Sequence, residues 1–338
     1  MRIPIDSDQH SFASNSYFLA VDGGGSKTHA AICDSDGNIV AFAAHSGANW
    51  EYIGISKAQK SLKEIIEKVV KIAGISAEQI SGATFALAGV DWPSDIKIFE
   101  EFFNGFALDG PIHIINDSVA ALYAGAPSGV GCVSIAGTGG KTAGFDGNNL
   151  ILTMGISLGE GSGASQIIAE SLQLMARIHH GQVAPSKMTS VIPEASGYSD
   201  VYSFFEAISR GEVSVSQNCA PLIFALACAG DIGAQSVIEK VALTHGNDVL
   251  GVLSQLAFDS DEIIVVCAGG LHTAGDQLFD TTFRNTVLRK YPSANIHTLN
   301  IFPVIGALIH ATQESKITLP ANFSDRLMEQ ASSLEAQV

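Results

Sequence analysis

Residues 17–33 read YFLAVDGGGSKTHAAIC, and residues 131–145 read GCVSIAGTGGKTAGF. In each, a short apolar run ends in a glycine cluster and a second apolar run follows, the pattern of two strands joined by a tight turn. The first unit continues through Asp34-Ser35-Asp36-Gly37-Asn38 into Ile39–Ala44, the second through Asp146-Gly147-Asn148 into Leu150–Thr153. Gly25-Ser26-Lys27-Thr28 aligns with Gly139-Gly140-Lys141-Thr142, and Asp36-Gly37-Asn38 with Asp146-Gly147-Asn148. A duplicated strand–glycine turn–strand unit predicts two similar lobes.

Outward from these units the punctuation continues. Ser56 is expected to cap a helix reaching about Ala73. In it Leu62, Ile65, Ile66, Val69, Val70 and Ala73 recur at helical spacing before Gly74 stops it. Ile80–Leu87 and Ile112–Asn116 read as strands, Ser94–Phe103 and Ser118–Ala124 as helices. Beyond Gly155 the chain turns helical, over about Ala164–His179, Asn218–Ala229 and Ile232–Leu253. A strand, Ile263–Val266, then runs into Ala268-Gly269-Gly270, followed by helices near Asp276–Arg289 and Val304–Ala311. Residues 315–338 read as a polar, mobile tail. Met1–Ser16 is polar, lacks the apolar stretch of a signal peptide, and reads as a flexible extension.

The 338 residues are 46% hydrophobic, ample for a large core, and their length suggests about two domains. The formal net charge of −16 repels phosphate backbones and anionic lipid, which disfavours nucleic-acid and membrane-surface roles. No apolar run approaches the roughly 20 residues of a spanning helix. The five cysteines, Cys33, Cys132, Cys219, Cys228 and Cys267, are scattered and read as small buried hydrophobes of a reducing cytosol.

Asp22-Gly23-Gly24-Gly25-Ser26-Lys27-Thr28 lies between two expected strands. Its glycines let the backbone pass close to a phosphate, and the hydroxyls of Ser26 and Thr28 can donate to it. Asp22, at the strand end, can hold Mg²⁺ directly or through water. Gly137-Thr138-Gly139 forms the second such turn. Gly140-Lys141-Thr142 is not a P-loop end: Ile135 stands where the required glycine belongs, and a strand follows where a helix must. Gly269-Gly270 is a third glycine site, where a ring or ribose can lie against the backbone. Taken alone, each turn is equally an ordinary hairpin or strand-to-helix turn.

Together these three sites resemble the sugar kinase/Hsp70/actin superfamily, and more closely the BadF/BadG/BcrA/BcrD-type ATPases. Further matching motifs are Ala86-Leu87-Ala88-Gly89, Asn116-Asp117 before a small-residue helix, Glu160-Gly161-Ser162-Gly163 and Pro303-Val304-Ile305-Gly306-Ala307-Leu308. The matches span about Tyr17 to Ala311. The resemblance implies an α/β, two-lobed actin-like/hexokinase-like (ribonuclease H-like) ATPase fold with a duplicated core. Its N-terminal lobe would take 17–127 with a return helix at 303–314, and its C-terminal lobe 128–302. It implies ATP and Mg²⁺ as cofactors, with ATP between the lobes, and an amino sugar as acceptor, N-acetylglucosamine or glucosamine. A cytoplasmic homodimer is also implied.

By the same resemblance Gly23, Gly24, Gly25, Ser26, Lys27 and Thr28 form the first phosphate motif, Gly137, Thr138 and Gly139 the second, and Gly269 and Gly270 the adenosine motif. Asp117 is the general base and Asp22 the metal-holding carboxylate. Asn49, in Gly47-Ala48-Asn49-Trp50, bonds the sugar hydroxyls, and Thr138 faces the transferred phosphate. Asp117 also suits a helix N-cap, a role that can hold together with catalysis, and Lys27 equally suits a solvated surface position. The family commonly reads Gly-Asp-Glu-Gly-Ser-Gly where this chain has Gly159-Glu160-Gly161-Ser162-Gly163, so Glu160 stands in for a lost sugar contact. Two other functions fit the fold. One is an activator ATPase of a 2-hydroxyacyl-CoA dehydratase, whose cysteine motifs are not found here. The other is a non-catalytic sugar sensor, which retention of Asp117 argues against.

Overall fold

The computed structural model describes residues 16–260 and 262–334. The expected flexible extension 1–16, apart from Ser16, lies outside the described residues.

The chain opens with the meander β1 (Tyr17–Gly23), β2 (Lys27–Asp34) and β3 (Ile39–Ser46). Short helix α1 (Trp50–Ile53) leads into α2 (Ile55–Ala73), then β4 (Ile80–Leu87), α3 (Pro93–Phe103) and β5 (Ile112–Asn116). β1 pairs antiparallel with β2 and parallel with β4, giving a five-stranded sheet ordered β3-β2-β1-β4-β5. The apolar stripe Leu62, Ile65, Ile66 and Val69 of α2 is buried with Leu19, Val21, Ile32 and Phe85 of the sheet. Ser56 is not its cap. Gly54, at φ +80°, occupies that position and Ser56 lies inside the first turn, while Gly74 ends the helix in the left-handed region as expected.

The second half repeats the plan. Helix α4 (Asp117–Gly125) precedes the meander β6 (Gly131–Ala136), β7 (Gly140–Phe145) and β8 (Leu150–Leu152). Five helices follow: α5 (Gly163–His179), α6 (Met188–Ala195), α7 (Val201–Ser209), α8 (Ala220–Cys228) and α9 (Ile232–Leu253). Then come β9 (Ile264–Ala268), α10 (Gly270–Thr273), α11 (Gln277–Leu288), β10 (Asn295–Thr298), α12 (Pro303–Glu314) and α13 (Phe323–Leu334). The second sheet is ordered β10-β9-β6-β7-β8, with β6 antiparallel to β7 and parallel to β9. Meander, then a parallel partner on the other side of the first strand, is the same order in both sheets. The turns differ in length: Gly23 pairs with Thr28, enclosing four residues, whereas Ala136 pairs with Gly140, enclosing three. The repeat is therefore one of topology rather than of turn geometry.

The residues group into two compact units, one running up to Ile115 and resuming at Ala307, the other Asn116–Gly306. By contacts α4 groups with the second sheet, where the sequence reading placed it before a boundary at 127. Its residues Ala121 and Leu122 pack on Val133 of β6, Ala143 of β7 and Val266 of β9.

The expected mobile tail is corrected as well. Residues 323–334 form α13, whose Leu327 and Ala331 are buried. Gln330 accepts the N–H of Ile39 at 3.0 Å and donates to the Gly37 carbonyl at 2.9 Å, while Arg326 donates to the Asp36 carbonyl at 2.8 Å. The polar residues that made the segment read as a tail are the ones that grip the β2–β3 turn.

Candidate active site

In the unit Asn116–Gly306, the glycine turn after β6 is built from behind. The carbonyls of Gly137 and Thr138 accept the N–H groups of Ala164 at 2.9 Å and Ser165 at 3.1 Å, from the first turn of α5. Contact is too close for side chains: a Cβ on Gly163 would lie 2.3 Å from the Gly139 oxygen and 2.4 Å from that of Gly137. Gly269, at φ +91°, ends β9 against the last residue of β6, where a Cβ would meet Ala136 backbone at 2.6 Å. In front of these turns is a cavity of about 510 Å³, lined by Gly137, Thr138, Asn218, Pro221, Phe224 and Gly270 among others. That volume lies in the range of small-molecule sites. The structure thus brings Gly137, Thr138 and Gly270 together on one cavity, with Gly139 in the same turn and Gly269 supporting it. Sequence reading missed Asn218, in the turn just before α8, and Pro221 and Phe224 of α8 itself, which together supply a largely apolar wall.

Asp117 is the first residue of α4, and the cap is its neighbour: the Asn116 side chain accepts the N–H of Ser118 at 3.0 Å. Asp117 is therefore not needed to cap the helix. Its half-buried carboxylate sits where the helix dipole favours negative charge.

Glu160 is turned away from a sugar-contacting role. Both its oxygens accept backbone N–H groups of its own loop, Gly155 at 3.0 Å, Ser157 at 2.9 Å and Ile156. Positive φ at Gly155 and Ser157 wraps the loop so that three successive amides face one carboxylate.

In the other unit Asp22 is the last residue but one of β1, opposite His29 of β2. Gly23 packs on Leu87, the Gly24 N–H closes the turn onto the Lys27 carbonyl at 3.0 Å, and Ala48 donates to the Gly24 carbonyl at 3.0 Å. Gly25, Ser26 and Lys27 are exposed. Thr28 is not available to a phosphate as expected: it is the second residue of β2, its side chain points into the sheet packing, and it is fully buried. Loop 47–49 presses on the turn, since a Cβ on Gly47 would lie 2.1 Å from the Gly25 oxygen. Asn49 caps α1, its oxygen accepting the Glu51 N–H at 2.9 Å, and Trp50 donates its indole N–H to the Gly89 carbonyl at 2.7 Å.

Among the described residues no group of three or more His, Cys, Asp and Glu is placed to hold a metal ion. A single strand-end carboxylate suits Mg²⁺, which retains most of its waters and takes phosphate oxygens.

The BadF/BadG/BcrA/BcrD ATPase family profile matches residues 19–311. The chain belongs to that family. The chain is similar to the N-acetylmuramic acid/N-acetylglucosamine kinase of Clostridium acetobutylicum, 23% identical over 88% of this chain and 99% of that one. The N-acetyl-D-glucosamine kinase of Dictyostelium discoideum is 24% identical over 90% of this chain and all of the other. Among solved structures, a putative N-acetylglucosamine kinase from Chromobacterium violaceum superposes with a TM-score of 0.64 at 21% identity, covering 87% of this chain and 98% of that one. The fold is that of the sugar kinases and their actin-like ATPase relatives. No single described helix is long and apolar enough to cross a membrane.

Proposed function

We propose that this chain is an ATP-dependent kinase whose acceptor is an amino sugar, N-acetylglucosamine or glucosamine. The observation that carries the nucleotide half is the cavity onto which Gly137, Thr138 and Gly270 open. Family membership and relatives named as N-acetylglucosamine kinases support phosphotransfer to a hydroxyl group. Asp117 takes the proton of the acceptor hydroxyl. As that oxygen bonds to the γ-phosphorus, the bond from phosphorus to the β–γ bridging oxygen breaks and ADP leaves. Thr138 and the backbone of its turn hold the transferred group, and Asn49 orients the sugar. Asp22 holds Mg²⁺, which when bound neutralises charge on the phosphates. A cytoplasmic homodimer is part of this reading.

The test is ADP release with ATP and Mg²⁺ across hexoses, hexosamines and N-acetylated hexosamines, for the natural chain and for Asp117→Asn. Turnover on one amino sugar, lost in Asp117→Asn, establishes the reading and identifies the acceptor. Folded protein that binds ATP without sugar-dependent ADP release overturns it and favours an activator ATPase or a sugar sensor.

A further inference from the structure

Helix α9 carries four polar residues, Thr244, His245, Asn247 and Asp248, in the middle of a largely apolar run. Its buried face includes Val241, Ala242, Val249 and Val252, and also His245, which is 0% exposed. An imidazole there costs desolvation that an aliphatic side chain would not. The cost is visible: burial holds His245 down to about 4. Asp248, one turn along, is driven up to about 6, by burial and then by the nearby charge of Glu160, against the opposing Gly161 hydrogen bond. Packing alone does not account for either residue.

Their hydrogen bonds do. The Gly163 N–H donates to Nε2 of His245 at 3.2 Å, and the Gly161 N–H donates to the Asp248 carboxylate at 2.6 Å. Because Nε2 accepts, the ring proton is on Nδ1. Thr244 takes a hydrogen bond from the Gln166 amide at 3.2 Å, and Gln166 in turn accepts from the Ser162 N–H at 3.3 Å. Contacts from two adjacent turns of α9 therefore fix residues 161–166. The ring of His245 also lies against the glycines themselves, where a Cβ on Gly161 would come within 2.6 Å and one on Gly140 within 2.8 Å. The fixed segment supplies the Ala164 and Ser165 amides that hold the carbonyls of Gly137 and Thr138. From α9 to the turn lining the cavity there are two hydrogen-bonded steps. His272 completes the arrangement from the other side. Its ring is 6.2 Å from that of His245, edge to face, and its Nε2 pairs at 3.2 Å with Ser134 Oγ on β6, the strand that leads into the same turn.

We infer that His245 and Asp248 are positioning residues for the nucleotide: through Gly161 and Gly163 they set the backbone of the Gly137–Gly139 turn against which the phosphates bind. Neither touches the ligand. The inference rests on reading that turn as a phosphate site, and it adds residues on a helix about a hundred positions away in sequence. A neutral hydrogen-bond acceptor at 245 is what the turn requires, so shape and acceptor can be separated by substitution. Phe keeps a ring of similar size and loses the acceptor. Gln keeps an acceptor at the reach of Nε2.

The experiment measures the dissociation constant of a non-hydrolysable ATP analogue with Mg²⁺, in the absence of any sugar, alongside the melting temperature. His245→Phe is expected to weaken binding about ten-fold while staying folded, and His245→Gln to recover most of it. Should His245→Phe fail to fold, Asp248→Ala against Asp248→Asn poses the same question at Gly161, with the Asn variant expected to bind like the natural chain. Unchanged analogue binding in folded His245→Phe or Asp248→Ala overturns the inference, as does equal weakening by His245→Gln and His245→Phe. A natural chain that binds the analogue yet phosphorylates no sugar overturns only the kinase reading. One that binds no nucleotide overturns both.

Discussion

Asp22 and His29 face each other across the β1–β2 pair, with Nδ1 of the imidazole 4.0 Å from the Asp22 carboxylate. The His29 ring is held by stacking on Phe42 at 5.7 Å between centroids, so the carboxylate has a fixed neighbour at the end of its strand. Asp22→Asn preserves shape and removes the charge by which, on the kinase reading, Asp22 holds Mg²⁺. Sugar-dependent ADP release should fall by ~10² or more, with a melting temperature within a few degrees of the natural chain. A variant that keeps full turnover would remove Asp22 from the site.

Gly163 and Gly139 separate a requirement of the fold from the requirement for phosphate approach that the kinase reading makes. Gly163 sits at φ +59° with backbone oxygens at 2.3 and 2.4 Å from a Cβ, so Gly163→Ala should cost ~3 kcal/mol of stability. Gly139 has nothing within 4 Å of a Cβ. Gly139→Ala should unfold like the natural chain in urea and still raise KM for ATP, because a methyl group there blocks close approach of phosphate rather than of protein.

Trp50→Phe removes the donor to the Gly89 carbonyl, a bond of 2.7 Å, and leaves the contact with Phe99. The loss should amount to ~1 kcal/mol of stability. Since Asn49 caps the same short helix, KM for the sugar should rise while binding of the ATP analogue stays unchanged.

Acid should destabilise the protein through its buried imidazoles, above the ordinary carboxylate range. Burial holds His245 at about 4, His310 at about 4 and His272 at about 3, the last two also pushed down by His113 and by His245 and Arg284 respectively. A depressed folded-state value means that the unfolded chain takes up protons first, so stability present above pH 6.5 is lost as pH falls towards 4. Asp248 has the opposite sign: its raised value, about 6, favours the folded state as pH falls from 6 towards 3.8. Three imidazoles outweigh one carboxyl group, and the melting temperature should drop between pH 6.5 and 4.5. Asp248→Asn should raise it at pH 7.5, where the natural chain carries a partly buried charge. Equal melting temperatures at pH 7.5 and 4.5 would contradict this account.

The strands were legible because short apolar runs stand out between turn residues and helical patterns. Ile80–Leu87, Ile112–Asn116 and Gly131–Ala136 occupy the very residues their patterns indicate. Helices α6 and α7 were not read, since Met188–Ala195 and Val201–Ser209 are short and Pro193 interrupts the first. The glycines of the candidate site announce themselves by composition, whereas its support does not. Asn218 and Phe224 reach the cavity only through the path of α8 and the turn that leads into it, and His245 reaches Gly163 only through that of α9. One trace was present: polar residues at 245 and 248, one helical turn apart, break the apolar stripe of Val241, Val249 and Val252. Glu160 shows the opposite failure, a motif residue whose loop turned its carboxylate inward.

The unit that starts with β1 resumes only at Ala307, within α12, and its β2–β3 turn is gripped by α13. During synthesis, the first five strands therefore leave the ribosome without two of the helices that cover them. They wait while all of Asn116–Gly306 is translated, on the order of tens of seconds at ordinary elongation rates. The unit made first is completed last, so a nascent chain stalled before residue 307 should display an incomplete sheet to chaperones while its second unit is already able to fold.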